Sequence, residues 1–472
     1  MDSTPFGLRV SKFSLLLRQG LRRLSYRKKL GLVLMFVILT VLGFLVPFLV
    51  LQSHIKKTEN PKPKETEEPD DNLPEFQEPD FFRLNSMNAT DEPPEQNQGR
   101  DIAVVVLAAR RPEVHQLVNQ LLAQKPASGF RILMSLDGAE KQTTAVLQQI
   151  KSNEVKLLRL ADDKSRNFTA SNDSYVKIAR HYLRVLDYLI LRLNFSYVIL
   201  MEDDMLIAPD FYQYFRSLRR ALDSDDSIFC VSAWNDNGQI GLVTEDPQLL
   251  HRTDFFPGLG WMINRRHWLQ VRKFWPKTQY DDFLRHYMMN NSLVCVRPEL
   301  SRTFNIGRNG GRSSEPGKSY AYGDIFYHNY LSRMALNTFN VTLTKSAIDK
   351  VIGRSADHDL DKFARSLPAM NVSQLLSMPV QELPPAVRLR YATVNDFIEL
   401  ALSIGAIPEV WFGAPRASIL GISMVSVRGS RVFIVPDKRL PVRKKIYIPR
   451  MKPKPKPKPE PNPAPSRRFW FF

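Results

Sequence analysis

The sequence predicts an α/β protein with a mostly parallel central sheet, a small mixed C-terminal domain and one N-terminal membrane-spanning helix. Three observations carry that prediction. Apolar, β-branched runs alternate with segments of helical period from Asp101 onward, the alternation fades past Phe339, and residues 30–52, LGLVLMFVILTVLGFLVPFLVLQ, contain no charge.

The uncharged stretch comes first. At about 1.5 Å per helical residue it crosses a hydrocarbon core of ~30 Å. Pro47 is tolerated in such a helix, and neither the length nor the flanks suit a cleaved signal peptide. Arg22, Arg23, Arg27, Lys28 and Lys29 precede it, whereas Lys56 and Lys57 soon give way to KETEEPDD. This bias places residues 1–29 in the cytosol and everything after the span outside or in a lumen. Sequons at Asn88, Asn167, Asn172, Asn194, Asn290, Asn340 and Asn371 agree with that side. Residues 53–100, rich in Pro, Glu, Asp and Asn, read as a flexible stem.

From Asp101 the run DIAVVVLAA is expected to be a strand buried on both faces. Pro112 sits near the start of a helix in which Val114, Leu117, Val118, Leu121 and Leu122 share a face. RILMSLD (strand), TTAVLQQI (helix), VKLLRL (strand), a helix from Tyr175 to about Leu193, and YVILMEDD (strand) follow. That order places ligands at the carboxyl ends of the strands. The segment 340–437 adds a helix at DFIELALSIG and a hairpin at ILGISMVSVRGSRVFIV, and residues 438–472 form a Lys-Pro-rich tail without core-forming residues.

The net charge of +18 looks at first like a nucleic-acid binder's. Residues 1–29 carry +7 and residues 438–472 carry +11, the whole of the excess, so the remaining body is neutral. No nucleic-acid partner is expected, because such a binder needs its basic surface on the fold. The two cysteines, Cys230 and Cys295, suit one disulfide in an oxidising compartment and exclude a Cys/His metal cluster.

The strongest chemical signal is Glu202-Asp203-Asp204, directly after the apolar strand Tyr197 to Met201. Sugar transfer from a nucleotide diphosphate builds negative charge on two phosphates, and Mg²⁺ or Mn²⁺ held by such acids stabilises it. A solvated acidic turn before Pro209 is the plainer alternative. KIARHY at 177–182, SAWNDNG at 232–238, RTDFFPGLGW at 252–261, RPELSRTFNIGR at 297–308 and FGAPRASILGISMVSVRGSRVFIVP at 412–436 extend the signal. In order from Asp101 to about Asp437, these strings resemble the N-acetylglucosaminyltransferase I family.

The resemblance implies a GT-A nucleotide-sugar domain over 101–339 with a C-terminal domain over 340–437. It further implies a single-pass type II Golgi membrane protein that moves N-acetylglucosamine from UDP-GlcNAc in β1,2 linkage onto the α1,3-mannose arm of an oligomannose N-glycan on a glycoprotein. By position, Asp204 corresponds to the Mn²⁺ ligand and Asp203 to a donor contact. Arg111, Asp137 and His181 match donor-binding residues, although each also has an ordinary structural role open to it: surface charge, turn and core histidine. The catalytic base falls on Asp281 in QYDDF, with Asp282 adjacent, and either acid also suits the start of the following helix. Tyr280 stands where the family usually has Trp, and either ring offers an apolar wall against the sugar. The family joins Cys230 and Cys295 in a bridge. Two departures stand out: the loop Gly307 to Gly323 is longer and more polar than the family's, and a second pair of family cysteines is replaced by Ala109 and Gly138. The alternatives are a protein O-mannose β1,2-N-acetylglucosaminyltransferase and a silent membrane-tethered lectin or scaffold. Retention of Asp203, Asp204 and Asp281 argues against the second, because idle clustered acids repel one another.

Overall fold

The computed structural model describes residues 102–109, 111, 113–137, 154–158, 160, 173–307 and 330–438. The span predicted at 30–52, the stem, the helix TTAVLQQI, most of the loop 307–323 and the tail beyond Lys438 lie outside these. Among the described residues no helix is long and apolar enough to cross a membrane.

The central sheet has eight strands. In chain order its members are β1 (Ile102–Ala108), β2 (Phe130–Leu136), β3 (Val155–Leu158), β4 (Tyr197–Glu202), β6 (Ile228–Ser232), β7 (Leu250–Thr253), β8 (Trp261–Asn264) and β9 (Val294–Pro298), arranged β3-β2-β1-β4-β8-β6-β9-β7. Strands β3, β2, β1 and β4 run parallel, as do β6 and β9, while β8 is antiparallel to both neighbours and β7 to β9. The short strands β5 (Met205–Ile207) and β10 (Thr303–Asn305) form an antiparallel pair of their own.

Strand β1 is buried throughout, and its alternate residues enter different cores. Ile102, Val104, Val106 and Ala108 pack with the helices Val114–Gln124 and Phe211–Ser224. Ala103, Val105 and Leu107 pack with the helices Ser174–Asp187 and Tyr280–Asn291. Helices therefore cover both faces, which is why DIAVVVLAA is continuously apolar. The helix expected to reach about Leu193 turns into a π-turn at Tyr188–Arg192, closed by Leu193 N–H on the Tyr188 carbonyl at 3.0 Å. Leu189 and Ile190 lie in the core there with Val185 and Leu186.

The C-terminal segment forms a four-stranded sheet, β11-β16-β15-β14, from β11 (Ala386–Tyr391), β14 (Ser418–Ile419), β15 (Ile422–Val427) and β16 (Ser430–Pro436). The predicted hairpin is β15–β16, turned by Arg428 and Gly429 at φ 52° and 87°. One face, with Val425, Val427, Val432 and Ile434, packs on the helix Val394–Ile404. The other, with Ile422, Met424, Phe433 and Val435, joins the same core as Val104. Buried ion pairs reinforce that seam. Arg252 on β7 binds Asp225 at 2.9 Å and Asp357 at 2.7 Å, and Arg431 on β16 binds Glu299 at 2.5 Å, which also pairs with His251 at 2.7 Å.

Cys230 on β6 lies opposite Cys295 on β9 with 4.6 Å between Cα atoms, and the two form a disulfide. The bridge closes 65 residues, worth roughly 4 kcal/mol in the chain-entropy picture. Peptide mapping without reductant is expected to recover the two cysteines as one linked pair. Alkylation of both in denatured, unreduced protein would contradict it.

Candidate active site

The sheet register gathers the site. Ala108 lies beside Leu136 and Leu107 beside Glu202, so the carboxyl ends of β1, β2 and β4 meet at one edge. Arg111 follows the first, Asp137 the second and the acidic triplet the third. Three successive carboxylates repel, and the chain relieves this by turning each toward a different partner. Glu202 points inward, accepting from Tyr182 Oη at 2.9 Å and Tyr280 Oη at 3.4 Å. Burial, with Asp204 beside it, pushes its carboxyl up to about 7. Asp203 accepts from Ala109 N–H at 3.1 Å, and burial together with Asp204 lifts it to about 6. Asp204 contacts the Arg111 guanidinium through Oδ2, and the same guanidinium lies 3.7 Å from Asp203. Burial opposes the Arg111 charge, but Asp204 and Asp203 outweigh it and raise its pKa.

The β5–β10 pair closes this turn from the far side. Ile306 N–H donates to the Asp204 carbonyl at 2.7 Å, and Gly307 comes next. A Cβ at Gly307 would overlap Asp204 Oδ2 and stand 2.7 Å from Arg111 Nη1, so a side chain there would force both groups aside.

Asp204 Oδ1 is buried without a hydrogen-bond partner. Among the described residues no three His, Cys, Asp or Glu side chains converge to cage a metal. One hard carboxylate oxygen, buried and unsatisfied, fits a Mg²⁺ or Mn²⁺ ion that takes its other ligands from phosphate and water.

The remaining predicted residues fall into two groups. Asp137 follows β2, its N–H on the Ala108 carbonyl at 3.0 Å and its carboxylate 3.6 Å from Arg180. His181 is buried with Nε2 2.8 Å from Ser135 Oγ on β2. Burial, with Arg184 and Arg180 nearby, pushes its pKa down to about 3, so the imidazole is neutral. These two lie at the β2 end, beside the Arg111–Asp203–Asp204 set rather than in it.

Asp281 and Asp282 occupy the first turn of the helix Tyr280–Asn291, entered through Gln279 at φ 50°. Tyr280 is buried, stacked 4.1 Å from Tyr182 and 5.8 Å from Trp275, so its ring backs the Glu202 carboxylate instead of standing open as a wall. Arg285 Nη1 serves both acids, at 3.0 Å from Asp281 and 2.5 Å from Asp282. Asp282 also accepts from Trp411 Nε1 at 2.9 Å. The Asp281 side chain is 36% exposed and that of Asp282 22%. Burial raises the Asp282 pKa, and Arg285 offsets part of that. The Arg285 guanidinium lies 4.8 Å from the Phe255 ring centre, and Arg416 lies 5.3 Å from the same ring.

A family profile described as "GNT-I family" matches residues 53–445. The chain belongs to the GNT-I family. The alpha-1,3-mannosyl-glycoprotein 2-beta-N-acetylglucosaminyltransferase of Arabidopsis thaliana is 34% identical over 350 residues, covering 71% of this chain and 74% of that protein. Among solved structures, a mannosyltransferase of Pyrobaculum calidifontis in complex with GDP-Man and Mn²⁺ is 13% identical, with 54% of this chain and 63% of that chain covered at a TM-score of 0.27. S. aureus TarS 1-349 is 12% identical, with 64% and 80% covered at a TM-score of 0.30. Overlaps this low say nothing of residues or chemistry.

In this GNT-I family member the geometry adds residues that sequence reasoning did not single out. Arg285 was within reach of pattern, because it follows Asp281 and Asp282 by four and three residues on one helix. Gly307 and Trp411 carried no local signal: one matters through a strand pairing, the other through a contact 129 residues away. Replacing Asp204 with Ala is expected to abolish turnover and any metal dependence of donor binding. Isothermal titration of UDP-GlcNAc with and without Mn²⁺ checks this, and metal-dependent affinity that survives the mutation would contradict it.

Proposed function

We propose that this chain is an inverting, UDP-GlcNAc-dependent β1,2-N-acetylglucosaminyltransferase acting on the α1,3-mannose arm of an oligomannose N-glycan, the step that opens hybrid and complex N-glycan synthesis. The observation that carries the reading is the 34% identity to the plant enzyme over 71% of the chain, in an α/β fold that sets Arg111 against Asp204 and opens a helix with Asp281. The catalytic part is of GT-A type, 101–339, with 340–437 appended. A Golgi location, with residues 1–29 cytosolic and the body lumenal, follows from the charge asymmetry around 30–52 and from the substrate class.

In this reading Arg111 and Asp203 hold the donor's diphosphate and sugar side, with Asp137 and His181 at its nucleoside end. Asp204 would hold Mn²⁺, which when bound neutralises charge growing on the leaving diphosphate. Neutral His181 contributes a hydrogen bond and no charge. Asp281, the more open of the two acids, accepts the proton of the acceptor hydroxyl as that oxygen attacks the anomeric carbon from the side opposite the leaving group. Its tie to Arg285 at 3.0 Å aims the carboxylate.

Incubation with UDP-GlcNAc, Mn²⁺ and a panel containing a five-mannose N-glycan and an O-mannosyl peptide, read by mass spectrometry, tests the substrate class. Addition of one N-acetylglucosamine to the N-glycan is expected. Transfer to the peptide alone would move the assignment to the O-mannose activity. Within the same assay Asp281→Asn should keep donor affinity and lose about 10²-fold or more in kcat, the usual scale for a general base.

A further inference from the structure

The C-terminal segment sends one element to the catalytic carboxylates. Strands β12 (Val410–Trp411) and β13 (Ala414–Pro415) pair antiparallel around a two-residue turn, Phe412-Gly413. Both turn residues have positive φ, 52° and 90°. Such a turn favours Asn, Asp or Gly at its first position, and a phenylalanine there is strained. Strain of this kind persists where surrounding contacts over-determine it.

Those contacts are on the helix Tyr280–Asn291. Trp411 Nε1 donates to Asp282 Oδ1 at 2.9 Å, and the Phe412 ring centre lies 3.8 Å from that of His286. Asp282 and His286 are four residues apart and share a helix face. The His286 Nδ1–H in turn donates to the Asp282 carbonyl at 2.9 Å, so hairpin and helix turn are locked at both ends. Asp281 and Arg285 form the neighbouring face, which the hairpin does not grip.

Two carboxylates share one guanidinium, and among the described residues only Asp282 receives a second donor. We propose that Trp411 is a positioning residue for catalysis: by fixing Asp282 beside Arg285, the hairpin 410–415 holds that acid out of proton transfer and leaves Asp281 free to act on the acceptor hydroxyl. This rests on Asp281 being the base. The physical logic is that two half-buried carboxylates share one cation, and the indole N–H gives Asp282 a further donor without adding charge. Without that donor Asp282 competes for Arg285, and the guanidinium that aims Asp281 shifts toward its neighbour.

The test compares steady-state kinetics of Trp411→Phe, Asp281→Asn, Asp282→Ala, Asp282→Asn and the Trp411→Phe/Asp282→Ala double variant in the full chain. Trp411→Phe keeps the ring and removes the N–H. It should lower kcat on the order of 10-fold with the KM for UDP-GlcNAc within twofold, the signature of misplaced chemistry rather than lost donor binding. In the Asp282→Ala background the same change should cost less than twofold, because there is nothing left to position. Phe412→Asn suits the left-handed turn, so its thermal midpoint should hold or rise while kcat falls several-fold as the His286 contact is lost. A Trp411→Phe enzyme with kcat within twofold of wild type overturns the proposal, as does an undiminished effect of that change in the Asp282→Ala background. If Asp282→Asn damages kcat more than Asp281→Asn, the base itself is misassigned and the division of labour falls with it. A silent Trp411→Phe beside an inactive Asp281→Asn sinks the hairpin's role alone.

Discussion

The end of β4 is where this molecule concentrates its unfavourable charge, and much of the surrounding structure exists to make that tolerable. A strand buried on both sides delivers Glu202, Asp203 and Asp204 in succession, with Arg111 their cation partner. The repulsion is managed by direction. Glu202 is turned under the sheet to two phenols, Asp203 back to the β1 backbone, and Asp204 forward beside Arg111 with one oxygen left over. An unsatisfied buried carboxylate oxygen is costly in a protein that binds nothing there, and in a cation site it is the working group. The close pass of Gly307 belongs to the same arrangement, because any side chain at that position would force Asp204 and Arg111 aside.

The acidic turn and the base helix are also mechanically connected. Tyr182 and Tyr280 stack at 4.1 Å and both direct their hydroxyls at Glu202, and Tyr280 immediately precedes Asp281. Placement of Asp204 and of Asp281 is thereby tied to one buried aromatic pair, further packed on Trp275. The Tyr280 phenol gives Glu202 a second donor beside that of Tyr182.

The parallel half of the fold was legible because its signals are local and repeated. Seven consecutive buried residues in β1 and the helical spacing of Val114, Leu117, Val118 and Leu121 leave little choice of period. The gathering of Arg111, Asp203 and Asp204 then follows from strand adjacency. What pattern alone did not supply lies in short or distant pieces. Strand β8 is four residues long, too short to show a period, yet it reverses the sheet's direction between β4 and β6. The π-turn at Tyr188–Arg192 leaves no mark in the pattern, because Leu189 and Ile190 follow Val185 and Leu186 at ordinary helical spacing. Tyr280, read as a sugar wall, is claimed by Glu202 because the fold brings β4 beneath it, a fact of tertiary placement.

The same reasoning explains why the C-terminal segment is more than an appendage. Its sheet shares the core that lines one face of β1, and it is pinned by Asp357 to Arg252 and by Arg431 to Glu299. Buried ion pairs add little net stability over apolar contacts, but a wrong docking would strand their charges, so they specify one arrangement. That arrangement must be specific. A hydrogen bond such as Trp411 Nε1 to Asp282 tolerates an error of only a few tenths of an ångström before it is lost. The ionic seam is therefore the reason an element more than a hundred residues from the helix Tyr280–Asn291 in sequence can act on its first turn.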